Sequence, residues 1–473
     1  MRLVLLLVCG LALQWPSSGA GHADEVEDCK NIDQPERSVP ACTEAIQGKP
    51  ADRELLAALH GFRGISHARL GNFELAIADF SRAIEINPQD EDAYRERGNV
   101  YVATGALDKA VSDFSKMIEI NAKSALGYHN RGIALTRKRE NDRAISDFTA
   151  AINMDPGLSL AYAGRGAVYS EKGQYAVALL DLNKAIEIDP QVGYFYFVRA
   201  GVYHAMHDYD HAIGDASKAI EIDETFVPAY LGRGSSYSAR KEYDAAIRDF
   251  SRVMELDPKN AGAYHGRSFA HVKKKDHDRG IADITRAIEL DPSNLEYYHR
   301  RALTYLVGGK AVHGLADVDQ ILTVKGNDAL VLDTRGLLLE DIGRRAEAIE
   351  SFRAALAIDP ALESSKDALK RLEAHESKWL EWQDRLKRWR NSLAAWAHTQ
   401  WESPNKSRWL IPLSILVLMW FRGKGTSPGS SGDTVEAVGT GGVERRRSEQ
   451  LKGFAWWGGS FVVLLAALAW ATR

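Results

Sequence analysis

Hydrophobic and polar positions along most of this chain repeat with a period of 34 residues. The segment AYRERGNVYVATGALDKAVSDFSKMIEI aligns with AYAGRGAVYSEKGQYAVALLDLNKAIEIDP at twice that offset. Stepping by 34 gives nine frames with no gap, starting at 57, 91, 125, 159, 193, 227, 261, 295 and 329 and ending at 362. A fixed period of this length means stacked supersecondary units. Each frame predicts two helices, A and B. Pro88, Pro156, Pro190, Pro258, Pro292 and Pro360 close helix B, because proline cannot continue a helix.

Within the frame, position 8 is small (Gly64, Gly98, Gly132, Gly166, Ala200, Gly234, Ser268, Ala302, Gly336). So is position 20, from Ala76 to Ala348, with Gly280 and Gly314 the two glycines. Small side chains let two helices approach closely, so helix A is expected to meet helix B at these two positions. Position 24 is mostly large and apolar (Phe80, Phe114, Phe148, Leu182, Phe250, Phe352) and is expected to fill the space between repeats. Position 7 is arginine in all nine frames, and position 23 is aspartate in the first eight. A row of arginines could form a basic ladder for a polyanion. The matched row of aspartates favours a repeated Arg–Asp pair instead, since partly buried arginine needs a carboxylate partner.

The 34-residue period and the placement of its Gly, Tyr, Ala, Phe and Pro residues resemble the tetratricopeptide repeat family over 306 of 473 residues. The resemblance implies an all-α fold, a right-handed superhelical solenoid of nine helix pairs, and a groove lined by positions 2, 5, 9 and 12 of helix A. On that register the groove carries Tyr194, Phe197, His204, Leu231, His265, Phe269 and His299. Exposed aromatic residues on such a face mark a binding site. Some members grip a C-terminal carboxylate with Lys/Arg and Asn. Arg95, Asn99 and Asn130 match part of that clamp, but Leu160 and Gly164 stand where its later basic residues belong. His265 and His299 repeat one groove position, yet the spacing indicates no third ligand, so no metal is expected.

The flanks differ in kind. Arg2 and the apolar run Leu3–Leu13 read as a signal peptide, residues 1–23, which carries Cys9 away. Residues 24–56 read as an N-terminal cap with a short helix around Pro40–Ile46. Cys29 and Cys42, left alone in an exported chain, are expected to form one disulfide. After the repeats comes a capping, amphipathic helix over 363–403. Its Trp379, Trp382, Leu386, Trp389, Leu393 and Trp396 are spaced as a heptad seam. Three readings of this seam stay open: a membrane interface, packing on the last repeat, and a homodimer. Residues 409–421 then form a short apolar segment, 422–453 a flexible Gly-rich linker, and 454–472 an apolar segment long enough to span a bilayer. Basic residues in the linker place it in the cytoplasm and the repeats outside.

The 60 basic and 64 acidic residues nearly balance, which gives no sign of a nucleic-acid partner. No Gly-x-Ser-x-Gly, His-Glu-x-x-His or phosphate-loop motif occurs, so neither an enzyme nor a cofactor is expected. The expectation is an exported, membrane-anchored scaffold that binds a protein or peptide in its groove, on the periplasmic side if bacterial. The alternative is a structural subunit of a membrane assembly, held through its convex face or its Trp-rich helix.

Overall fold

The structure is a computed structural model that describes residues 22–401. Residues 1–21 of the expected signal peptide lie outside that range, as do both apolar segments and the linker between them. Among the described residues every regular element is an α-helix, and no helix is long and apolar enough to cross a membrane.

The described chain forms two compact units that divide between Glu242 and Tyr243. The first holds the cap, the helix pairs of the first five frames, and helix Val227–Ala239. The second holds helix Tyr243–Leu256, the pairs of the last three frames and the long helix Glu363–Trp401. A typical pair is Glu91–Ala103 followed by Leu107–Ile120, a 13-residue helix A and a 14-residue helix B.

The turn between them uses one residue in the left-handed region at position 15 of every frame. In five frames it is glycine, as at Gly105 (φ 78°). In four it is Arg139, His207, Lys241 or Lys275, with φ between 61° and 66°. Left-handed backbone costs a side-chain-bearing residue about 1 kcal/mol, a strain that glycine avoids.

Two close approaches build the core. At Gly166 a Cβ would lie 3.1 Å from the carbonyl of Ala178, and at Gly314 one would lie 3.1 Å from that of Ala302, so positions 8 and 20 do touch. The position-24 ring does more than fill the space between repeats. A Cβ on Gly132 would meet Phe148 of its own repeat at 2.9 Å, and one on Gly164, in the next repeat, would meet the same ring at 2.7 Å. Phe148 thus sits in two clefts at once, and Phe80, Phe114, Phe250 and Phe352 are buried at the equivalent position.

Arginine at position 7 clamps this packing. Arg165 donates from Nε and Nη2 to Asp181 (both 2.8 Å) and from Nη1 to Thr149 of the preceding repeat (3.0 Å). The same bidentate pair joins Arg63, Arg97, Arg131 and Arg199 to their aspartates in the first unit, and Arg267 and Arg301 to theirs in the second. The hydroxyl acceptor recurs too. Ser115 gives its own proton to Val111, which leaves its oxygen to accept from Arg131. In the last repeat the two roles trade places. Position 23 is Ser351, and the carboxylate comes from Asp319 of the preceding repeat, 3.0 Å from Arg335 Nε.

The cap holds more helix than the sequence indicates. Two helices, His22–Lys30 and Pro35–Gln47, are joined by the Cys29–Cys42 disulfide, and both cysteines are buried against Leu59. At the other end, helix Glu363–Trp401 covers the last repeat through Ala368 and Leu372, which pack with Leu339 and Phe352. Arg371 and Glu373 then pair with Glu340 and Arg353.

Two substitutions are predicted to shift the urea midpoint of the full chain in opposite directions. Gly336→Ala would put a methyl 2.5 Å from the Phe352 ring and lower stability by about 1–3 kcal/mol. Lys275→Gly relieves left-handed strain and raises it by about 0.5–1 kcal/mol.

Candidate functional site

The helix-A residues singled out in the sequence fall into two groups, one in each unit. In the first unit Tyr194 and Phe197 lie one helical turn apart, with ring centroids 6.5 Å apart. Phe197 meets Phe226 edge-on at 5.5 Å, and Phe226 is buried. Gly232 in the next helix A lies beside the same ring, where a Cβ would stand 3.6 Å away, in ordinary van der Waals contact. Tyr194 leaves 40% of its surface open, although burial pushes its phenol pKa up. Leu231 is half-buried in the same unit. The result is an exposed ring held in place by rings beneath it.

Phe226 was missed in the sequence reading, and a signal for it existed. It occupies the last position of its frame, where Asp90, Ser124, Asn260, Asn294 and Asp328 cap the following helix through their side chains. Leu158, Val192 and Phe226 make no such cap. Those three consecutive boundaries place apolar side chains where the others have polar caps. Two of them pack with residues of the Tyr194 region: Val192 near Phe195, and Phe226 on Phe197.

The predicted histidines are tied into the scaffold. Ser236 donates its proton to the Gly232 carbonyl, so its oxygen accepts from His204 Nδ1 at 2.9 Å. Thr334 donates to Leu330 and accepts from His299 Nε2 at 2.8 Å. His265 packs its ring on Tyr297 at 5.2 Å. Burial is the first cause lowering the pKa of all three, so they are neutral near pH 7. Among the described residues no three His, Cys, Asp or Glu side chains gather as metal ligands. Phe269, in the second unit, is 37% exposed, with the Lys273 ammonium 5.4 Å from its ring centre.

The carboxylate-clamp positions are engaged differently. Arg95 pairs with Asp92 at 2.7 Å and Glu96 at 2.9 Å on its own helix. Its charge is already satisfied, and Gly164, where the clamp needs a further basic residue, packs instead on Phe148. Asn99 and Asn130 are half-buried. Beside Asn130 lies His129, only 6% exposed, whose Nδ1 has no hydrogen-bond partner and whose ring packs 5.6 Å from Phe148. At the C-terminal end Trp379, Trp382 and Trp389 are all exposed, and the first two stack at 5.1 Å. The side chain of Trp396 is outside the described set.

Family models described as TPR repeat match residues 66–105. Models described as tetratricopeptide repeat match 129–193, 227–260, 261–294 and 331–362. The matched segments are similar to tetratricopeptide repeats. Two of them coincide with the frames starting at 227 and 261. Tetratricopeptide repeats support the reading of the chain as a protein–protein interaction scaffold.

Several solved structures share the repeat arrangement. YrrB, described as a TPR protein with an unusual peptide-binding site, is 25% identical, with 39% of this chain and 96% of that one aligned and a TM-score of 0.33. A tetratricopeptide repeat protein from Parabacteroides merdae is 21% identical over 53% and 99% of the two chains, with a TM-score of 0.42. PilW, described as a type IV pilus biogenesis factor, is 19% identical over 44% and 96%, with a TM-score of 0.40. At these scores the likeness carries no argument about function. No curated protein matches the sequence.

His129 gives a pH prediction. Burial lowers its pKa from the ordinary 6.5 to about 4. Between those values the unfolded chain takes up a proton that the folded chain refuses. Stability is therefore full above about pH 6.5, falls as the pH drops toward 4, and levels off below. By pH 5 the loss is about 2 kcal/mol. Urea unfolding at pH 7 and pH 5 should show His129→Leu losing about that much less stability than the unmodified chain.

Proposed function

We propose that the chain is an exported, membrane-anchored scaffold whose repeats hold an extended protein or peptide segment against the helix-A face. The observation that carries this reading is the Tyr194–Phe197–Phe226 cluster. It presents the exposed Tyr194 ring, supported from below by Phe197 and the buried Phe226, and aromatic anchors of this kind dominate protein interfaces. An exposed ring that only filled the core would not need Phe226 in place of a helix cap. Phe269 with Lys273 offers a second anchor of the same type in the other unit. Repeat proteins of this family are generally non-catalytic, and the neutral His204 and His299, each hydrogen-bonded to a hydroxyl, suit positioning rather than proton transfer.

Export and anchoring rest on the sequence flanks, namely the apolar run after Arg2, the paired cysteines and the segments 409–421 and 454–472. The disulfide between Cys29 and Cys42 is consistent with an oxidising compartment. The second reading, a structural subunit gripped through its C-terminal helix, draws on the exposed tryptophans there.

In-cell photo-crosslinking separates the two. A photoreactive residue at Tyr194 is predicted to give one discrete protein adduct, and Phe197→Ala in the same chain is predicted to reduce its yield at least several-fold. No adduct from 194, together with a strong one from 389, would reject the groove and leave the structural-subunit reading.

A further inference from the structure

Helix Glu363–Trp401 leaves the body of the second unit after its first turns. From Ser377 to Ser392 every side chain is exposed apart from the half-buried Gln383. In this stretch Trp379, Trp382 and Trp389 are 47% to 51% exposed and Leu386 is 40% exposed. Packing on the last repeat therefore does not account for the seam.

The charges around the seam say what would cover it. At about 100° per residue, Trp379, Trp382, Leu386 and Trp389 form one narrow stripe. Lys378 and Arg385 border it on one side, and Lys387 and Arg390 on the other. The two acidic residues of the stretch, Glu381 and Asp384, lie on the opposite face. Their ion pairs with Arg385 and Lys387 are long, 3.8 Å and 4.0 Å. A second copy of this helix would bring the basic borders of the 377–392 stretch together, with neither acidic residue of that stretch at the edge to neutralise them. A surface of negative charge over an apolar interior fits both borders and the stripe. Tryptophan suits that boundary, since its ring is apolar and its N–H stays hydrated.

We infer that the stripe Trp379–Trp382–Leu386–Trp389 lies on the surface of an anionic phospholipid bilayer, with Lys378, Arg385, Lys387 and Arg390 at the headgroups. The helix then runs along the membrane as a platform under the last repeat. The inference adds to the anchoring reading and stands apart from it, because the contact is read on the helix itself and anchoring is read by flotation.

The test uses the full chain with a ketone-bearing residue, carrying a spin label, at position 386 or 384. Vesicles are phosphatidylcholine alone or mixed with phosphatidylglycerol. Flotation with either vesicle reports anchoring by the apolar segments. The stripe is read from the accessibility of the label to oxygen and to a nickel chelate. In mixed vesicles the oxygen-to-nickel ratio at 386 is expected to exceed that at 384 several-fold, and the difference is expected to shrink in phosphatidylcholine alone. Arg385→Glu with Arg390→Glu should abolish the difference while the chain still floats. Equal ratios at 386 and 384 in mixed vesicles would overturn the inference. So would protection that ignores lipid charge, or spin–spin broadening at 386 that marks a second copy.

Discussion

The interaction on which the repeats depend is the arginine at position 7. A helix pair has too little apolar surface to fold alone, and a stack of pairs needs something that fixes each pair against the last. Arg165 does this with one planar group. It grips Asp181 on its own helix B with two nitrogens and Thr149 on the preceding helix B with a third. A guanidinium suits the task because its donors form a rigid fork that matches a carboxylate. The side chains are partly to largely buried, so each pair is worth more than a surface ion pair and would be costly to break on one side. The exchange in the last repeat makes the same point. Where position 23 becomes Ser351, a carboxylate reappears at Asp319, and Arg335 remains bonded.

With the clamp on the inner seam, the helix-A face is left to vary. In the first unit it carries rings backed by rings, and three polar caps have given way to apolar residues around them. His204 and His299 on this face are neutral and hydrogen-bonded to the next repeat, and His265 packs on Tyr297, so they stiffen the surface. His129 shows the cost of such a surface, a buried imidazole that stays uncharged down to about pH 4.

The period, the paired Arg and Asp rows and the helix boundaries were legible in the sequence because each recurs at a fixed offset. The contact of positions 8 and 20 was legible for the same reason. The double duty of Phe148 was not. One of its clefts is made by Gly164, at a position where glycine occurs in only a few frames. The left-handed turn residue escaped notice because Arg139, His207, Lys241 and Lys275 share no chemistry with the glycines at the other turns. The histidine partners Ser236 and Thr334 lie one repeat away and look ordinary in isolation. The division at Glu242 falls inside an unbroken period, so nothing in the pattern marks it. The exposure of the tryptophan stripe, which decides against packing on the last repeat, could only come from the structure.

The most direct test of the clamp is a double-mutant cycle on Arg165 and Asp181, with Arg165→Met, Asp181→Leu and the pair followed by urea unfolding of the full chain. The account predicts that each single change is strongly destabilising and that the double change restores part of the loss, with a coupling of about 2 kcal/mol or more. Losses that add to within about 0.5 kcal/mol would contradict it, and the repeats would then be held by apolar packing alone.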